Sequence, residues 1–160
     1  MEVGRSDYIA RLESKRGNGL VKIITGVRRC GKSYLLFTLF RKHLLSTGVK
    51  DNQIVALALD DYGNRQYIEP DALYSYVKSK TSGQGPFYIL LDEIQLVRDF
   101  ESVLNGFLHI EGADIYVTGS NSKFLSSDII TEFRGRGDEI RVTCSSRLFR
   151  GCRSRARAGD

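Results

Sequence analysis

Long apolar runs are missing from this chain. No stretch approaches the roughly 20 apolar residues of a membrane-crossing helix, although apolar types make up 41% of the 160 residues. The opening MEVGRSDYIARLESKRGNG has no apolar centre of the kind a secretory leader carries, so no signal peptide is expected. Cysteine is scarce: Cys30, Cys144 and Cys152 have neither metal-ligand spacing nor the even count of a disulfide framework. Together these absences predict reduced thiols and a cytoplasmic protein with no membrane partner. No internal repeat is visible.

The net charge of +5 suggests a nucleic-acid partner until its distribution is read. Residues 144–160, CSSRLFRGCRSRARAGD, hold five arginines and one aspartate, which is +4 of the total. The rest is close to balanced, so composition supports no basic patch on the folded body.

Along the chain, strand-like and helix-like patterns alternate. Residues 4–15 form an amphipathic helix with Tyr8, Ile9 and Leu12 near one face, ended by GNG at 17–19. LVKIIT (20–25) reads as a buried strand, and the Gly- and Pro-free segment 34–45 as a helix packed on more than one side. A strand at 53–59 precedes the polar loop DDYGNRQ; a helix then starts at Glu69-Pro70-Asp71 and runs through Lys80. PFYILL (86–91) and DIYVT (114–118) are strands flanking an amphipathic helix at 99–110. A helix from about 123 to 133 and a fifth strand at 138–143 complete the pattern. Such alternation implies right-handed crossovers and an α/β fold with a mainly parallel sheet.

Between the first strand and its helix stands GVRRCGKS, residues 26–33, the G-x-x-x-x-G-K-S pattern of a P-loop. Its chemistry is a ring of inward N–H groups around an anion, at a helix start whose unpaired donors and dipole favour phosphate. Gly26, Val27, Arg28, Arg29, Cys30, Gly31, Lys32, Ser33 and Tyr34 are the expected nucleotide contacts. Lys32 reaches the β- and γ-phosphates, and the Ser33 hydroxyl is an Mg²⁺ ligand. Arg28 and Arg29 suit phosphate contact, or equally packing and salt bridging at the sheet edge. An ordinary glycine turn is the plainer reading, which the full spacing and flanking elements disfavour.

YILLDEIQ, residues 88–95, supplies the other half: a buried strand carrying two carboxylates to the sheet edge where α/β ligands bind. Asp92 is expected to support Mg²⁺ beside Ser33, and Glu93 to position and deprotonate an attacking water. A solvated strand end would carry any polar residue; following a complete P-loop, Asp-Glu is more specific. At the end of the next strand, TGSNS places Ser120 and Asn121, with Thr118 behind them, to hydrogen-bond a γ-phosphate or the lytic water. Ser and Asn are equally good helix N-caps.

GVRRCGKS, LLDEIQ, VTGSNS and FRGR, in this order and spacing, resemble a family of prokaryotic AAA+ ATPases over about residues 5–142. The resemblance implies a three-layer P-loop NTPase sandwich with a five-stranded sheet in the order 5-1-4-3-2. It also implies ATP and Mg²⁺, a glutamate base, a polar sensor after the fourth strand and an arginine before the fifth. That arginine maps to Arg136, or second to Arg134, acting on the γ-phosphate in trans within a homo-oligomer; a surface arginine in a turn is the alternative.

The pattern departs from the family after Val142. Residues 1–142 are expected to form the core, with 1–19 as helix and linker, and 143–160 a basic disordered tail. The family's helical lid and C-terminal domain are then absent. A shifted reading frame near Thr143 accounts for the change; a genuine arginine-rich tail binding nucleic acid or an acidic surface is the rival. The reading is therefore Mg-dependent ATP hydrolysis by a truncated core, with a weakly hydrolysing regulatory or DNA-interaction module as the alternative. N-K-x-D, which reads guanine, is missing, and no arginine-rich lid of a small-molecule kinase is recognisable.

Overall fold

A computed structural model describes residues 5–27, 29–120 and 137–142. Five strands form one wholly parallel sheet: β1 (Val21–Thr25), β2 (Ile54–Ala58), β3 (Phe87–Asp92), β4 (Ala113–Gly119) and β5 (Gly137–Arg141). Their spatial order is β2-β3-β4-β1-β5, the expected 5-1-4-3-2 read from the other edge.

Period-2 alternation sorts the strand residues onto two faces. Val21, Ile23, Val55, Leu57, Ile89, Leu91, Ile115 and Val117 build one core, beneath α3 (Pro70–Lys80) and α4 (Phe100–Leu108). Ile24, Ile54, Tyr88, Leu90, Tyr116 and Ile140 build the other, beneath α1 (Arg5–Ser14) and α2 (32–46). The middle of α2, Leu35–Phe40, winds as a π-helix. Leu35, Leu36, Phe40 and Leu44 share a core with the sheet and with Tyr8 and Leu12 of α1, so α2 is packed on two sides, as its near-continuous apolar sequence predicts. Among the described residues no helix is long and apolar enough to cross a membrane.

Small differences from the sequence expectation have local causes. The polar loop after β2 contains a 3-10 stretch at Tyr62–Ile68, begun where the Asp61 carboxylate accepts from Gly63 N–H at 3.0 Å. The fifth strand ends at Arg141, and Val142 N–H still donates to Thr25 O, at 2.7 Å, over the start of the loop after β1.

Register places the chemistry. Leu91 pairs with Val117, and Ile24 with Thr118, so Thr25, Asp92 and Thr118 all lie at the carboxyl edge. Strand β4 separates β1 from β3, and the crevice above it is a position where open α/β sheets take ligands.

Candidate functional site

After Thr25 the chain turns over the sheet edge. Gly26 has φ 158°, and a Cβ there would sit 2.6 Å from the Val142 carbonyl oxygen, so only glycine fits without displacement. Arg29 (φ 70°) and Gly31 (φ 86°) take left-handed backbone, the kind of alternation that curls successive N–H groups into an anion-binding concavity. Leu35 N–H donates to Gly31 O at 2.9 Å, so helix α2 grows directly out of the loop.

Lys32 is buried, and its Nζ donates to the carbonyls of Gly26 and Val27, each at 2.9 Å. The ammonium thus lies across its own loop. Burial lowers its pKa, opposed by the nearby Glu93 and Asp92 carboxylates.

Asp92 closes β3 and is also buried. Its Oδ2 accepts from the Ser33 hydroxyl at 2.7 Å and its Oδ1 from the Thr118 hydroxyl at 2.5 Å. Desolvation raises its pKa; the two hydroxyl donors pull the other way, and the charges of Glu93 and Asp60 add to the rise. A desolvated carboxylate touching an exposed serine hydroxyl is a pair of hard oxygen donors suited to a divalent cation.

Glu93 has left-handed backbone, φ 58° and ψ 51°, which throws the chain off the strand into the 3-10 turn Ile94–Leu96. Its N–H donates to Thr118 Oγ1 at 3.0 Å. Its carboxylate accepts from Ser120 Oγ, at 3.0 Å to Oε1 and 2.9 Å to Oε2, and from Gln95 Nε2.

The structure therefore brings Lys32, Ser33, Asp92, Glu93 and Ser120 to one edge. Thr118, expected behind Ser120 and Asn121, engages Asp92 and the Glu93 N–H. Val27 and Arg29 are exposed, and Tyr34 is half-buried at the start of α2. Arg28, Asn121, Arg134 and Arg136 lie outside the described residues. So do the helix expected near 123–133, Cys144, Cys152 and the segment 143–160. Cys30 is buried within the loop. Gln95 was given no role from the sequence; its signal there was its place at the end of LLDEIQ, a polar residue within the apolar run after Asp-Glu.

A family profile described as an AAA domain matches residues 18–146. An uncharacterised protein of Haemophilus influenzae is 30% identical over 141 residues, 88% of this chain and 35% of its own length. An uncharacterised protein of Methanocaldococcus jannaschii is 33% identical over 120 residues, 72% of this chain and 24% of its own length. The chain thus spans about a third or less of the curated relatives it matches.

Among solved structures it is similar to a DNA polymerase III gamma subunit-related protein of Thermotoga maritima, with TM-score 0.62 and 12% identity over 91% of this chain and 48% of that one. A DNA replication initiation factor matches with TM-score 0.57 and 16% identity, over 99% of this chain and 53% of that one. At such identities the likeness concerns the fold. With the family profile covering the P-loop and all five strands, the chain belongs to the AAA domain family and has the AAA+ P-loop fold.

Proposed function

We propose that this chain binds ATP with Mg²⁺ and hydrolyses the bond to the γ-phosphate. The observation that carries the reading is the hydrogen bond from Ser33 to Asp92, which joins the P-loop helix to the acidic end of β3. Those two oxygens fit Mg²⁺, which takes one or two protein ligands and completes its shell with phosphate and water. When bound, Mg²⁺ offsets charge on the β- and γ-phosphate oxygens.

The protein's own groups do the rest. The N–H groups of 26–33 bind the phosphates, and Lys32 transfers its ammonium from the Gly26 and Val27 carbonyls to the γ-phosphate. Glu93 accepts a proton from the attacking water as the water oxygen bonds to phosphorus and the β–γ bridging bond breaks, releasing ADP. Ser120 and Asn121 act as polar sensors, and Arg136 acts across a subunit boundary of a homo-oligomer. In the longer protein, turnover would drive movement of further domains. The preference for ATP over GTP rests on the family resemblance.

A second reading, a nucleotide-binding regulatory or DNA-interaction module with little turnover, draws on one observation. The Glu93 carboxylate is already engaged by Ser120 and Gln95. The Glu93→Gln variant tests the first reading: ATP binding persists while phosphate release falls about 10²- to 10⁴-fold. Undiminished release would remove Glu93 from the mechanism, and wild-type binding without release favours the second.

A further inference from the structure

Gln95 lies two residues beyond the proposed base, the last residue of LLDEIQ and one to which no role has been given so far. The left-handed backbone at Glu93 and the turn Ile94–Leu96 fold the chain back, so that Gln95 Nε2 meets Glu93 Oε2. Leu96 N–H donates to Glu93 O at 3.1 Å and Val97 N–H to Ile94 O at 3.0 Å, while Ile94 and Val97 are buried beside the sheet. The turn is therefore a fixed platform. From the other side, Ser120 donates to both carboxylate oxygens. Two side chains from different elements hold one carboxylate between them.

The remaining half of the amide is informative. Gln95 Oε1 is buried and, among the described residues, has no hydrogen-bond partner. Its orientation follows from chemistry: turning the amide over would set its carbonyl against the Glu93 carboxylate. A side chain that leaves one polar atom unsatisfied to reach another residue carries a local penalty, and such penalties gather at functional sites.

We propose that Gln95 is a positioning residue for hydrolysis, its carboxamide and the Ser120 hydroxyl together fixing the Glu93 carboxylate in the direction from which it takes a proton from water. This rests on the hydrolytic reading above. Gln95 acts through Glu93 and has no role in holding nucleotide.

The test is a double-mutant cycle on the full chain, with ATP affinity and steady-state phosphate release measured for wild type, Gln95→Ala, Gln95→Met, Glu93→Gln and Glu93→Gln/Gln95→Ala. Misaligning a catalytic group by about 1 Å lowers turnover by up to about 100-fold. Gln95→Ala should thus lower kcat about 10- to 100-fold, with ATP affinity and KM within about twofold of wild type. In the Glu93→Gln background the same change should add less than about twofold, since the group it positions has lost its basicity. Gln95→Met keeps the volume, removes the donor and removes the unsatisfied oxygen, so it should lose kcat like Gln95→Ala while its Tm does not fall. Equal fold-losses in the two backgrounds, or full activity in Gln95→Met, would overturn the proposal. If wild type binds ATP but releases no more phosphate than Glu93→Gln, the hydrolytic reading itself fails and takes the proposal with it.

Discussion

Ser33 and Asp92 are 59 residues apart in the chain, yet the serine hydroxyl lies 2.7 Å from the aspartate Oδ2. The contact follows from topology: β4 inserts between β1 and β3, so the helix leaving β1 reaches over the crevice toward the end of β3. Everything proposed about magnesium and triphosphate depends on that pair.

Ser33→Ala removes the hydroxyl and should leave ATP binding without Mg²⁺ little changed. The gain in affinity on adding Mg²⁺ should shrink about tenfold, the worth of one interaction of about 1.4 kcal/mol. Calorimetric titration with and without the metal measures it.

Asp92 is a stability liability in the metal-free protein. Its folded pKa is raised above 3.8 by burial, so the native state holds its proton more tightly than the unfolded chain does. Stability therefore falls as pH rises from about 3.8 through the raised value, and the penalty is fully present above it. Asp92→Asn should raise Tm at neutral pH by about 2–4 °C, equivalent to about 1 kcal/mol at this size. The same variant should lose the Mg²⁺-dependent part of ATP binding. Thermal melts at pH 4 and pH 7 check the sign, since the gain should shrink at the lower value.

Gly26→Ala would place a methyl 2.6 Å from the Val142 carbonyl oxygen. Backbone must move, and both the loop and the β5 end that braces it lose their register. Destabilisation of about 1–3 kcal/mol is expected, with ATP binding lost in whatever fraction stays folded; denaturant melts and titration read the two effects separately.

At the opposite edge of the sheet, Lys22 and Asp114 form a buried ion pair. Asp114 also accepts from Tyr116 OH at 2.8 Å and from Gly17 N–H at 3.0 Å, while Asn18 Oδ1 accepts from Lys22 Nζ at 3.2 Å. Burial raises the Tyr116 pKa well above its ordinary value, so its hydroxyl remains a donor. Asp114→Ala would strand the lysine and should cost about 3–5 kcal/mol. ATP affinity of the folded protein should stay unchanged, because the network touches nothing at the nucleotide edge.

The strands and helices were legible because patterns such as LVKIIT and PFYILL, buried on both faces of a parallel sheet, are mostly apolar. The P-loop, Asp92 and Glu93 were legible because their residue types and spacing follow from phosphate and metal chemistry. Three things were not. Left-handed backbone at Glu93 is set by the turn that must leave β3, and glutamate gives no sign of it. The return of Gln95 depends on that turn. Thr118 was placed behind Ser120 and Asn121 with no partner of its own named, and the register of β4 against β3 aims its hydroxyl at Asp92.

The most direct measurement is ATP affinity of the unmodified chain with and without Mg²⁺, set beside Asp92→Asn under the same conditions. The account predicts that Mg²⁺ tightens binding to the wild type by tenfold or more and leaves the variant unmoved, about 1.4 kcal/mol apart. Equal binding by the two proteins in the presence of Mg²⁺ would contradict it, since Asp92 would then have no part in holding the metal.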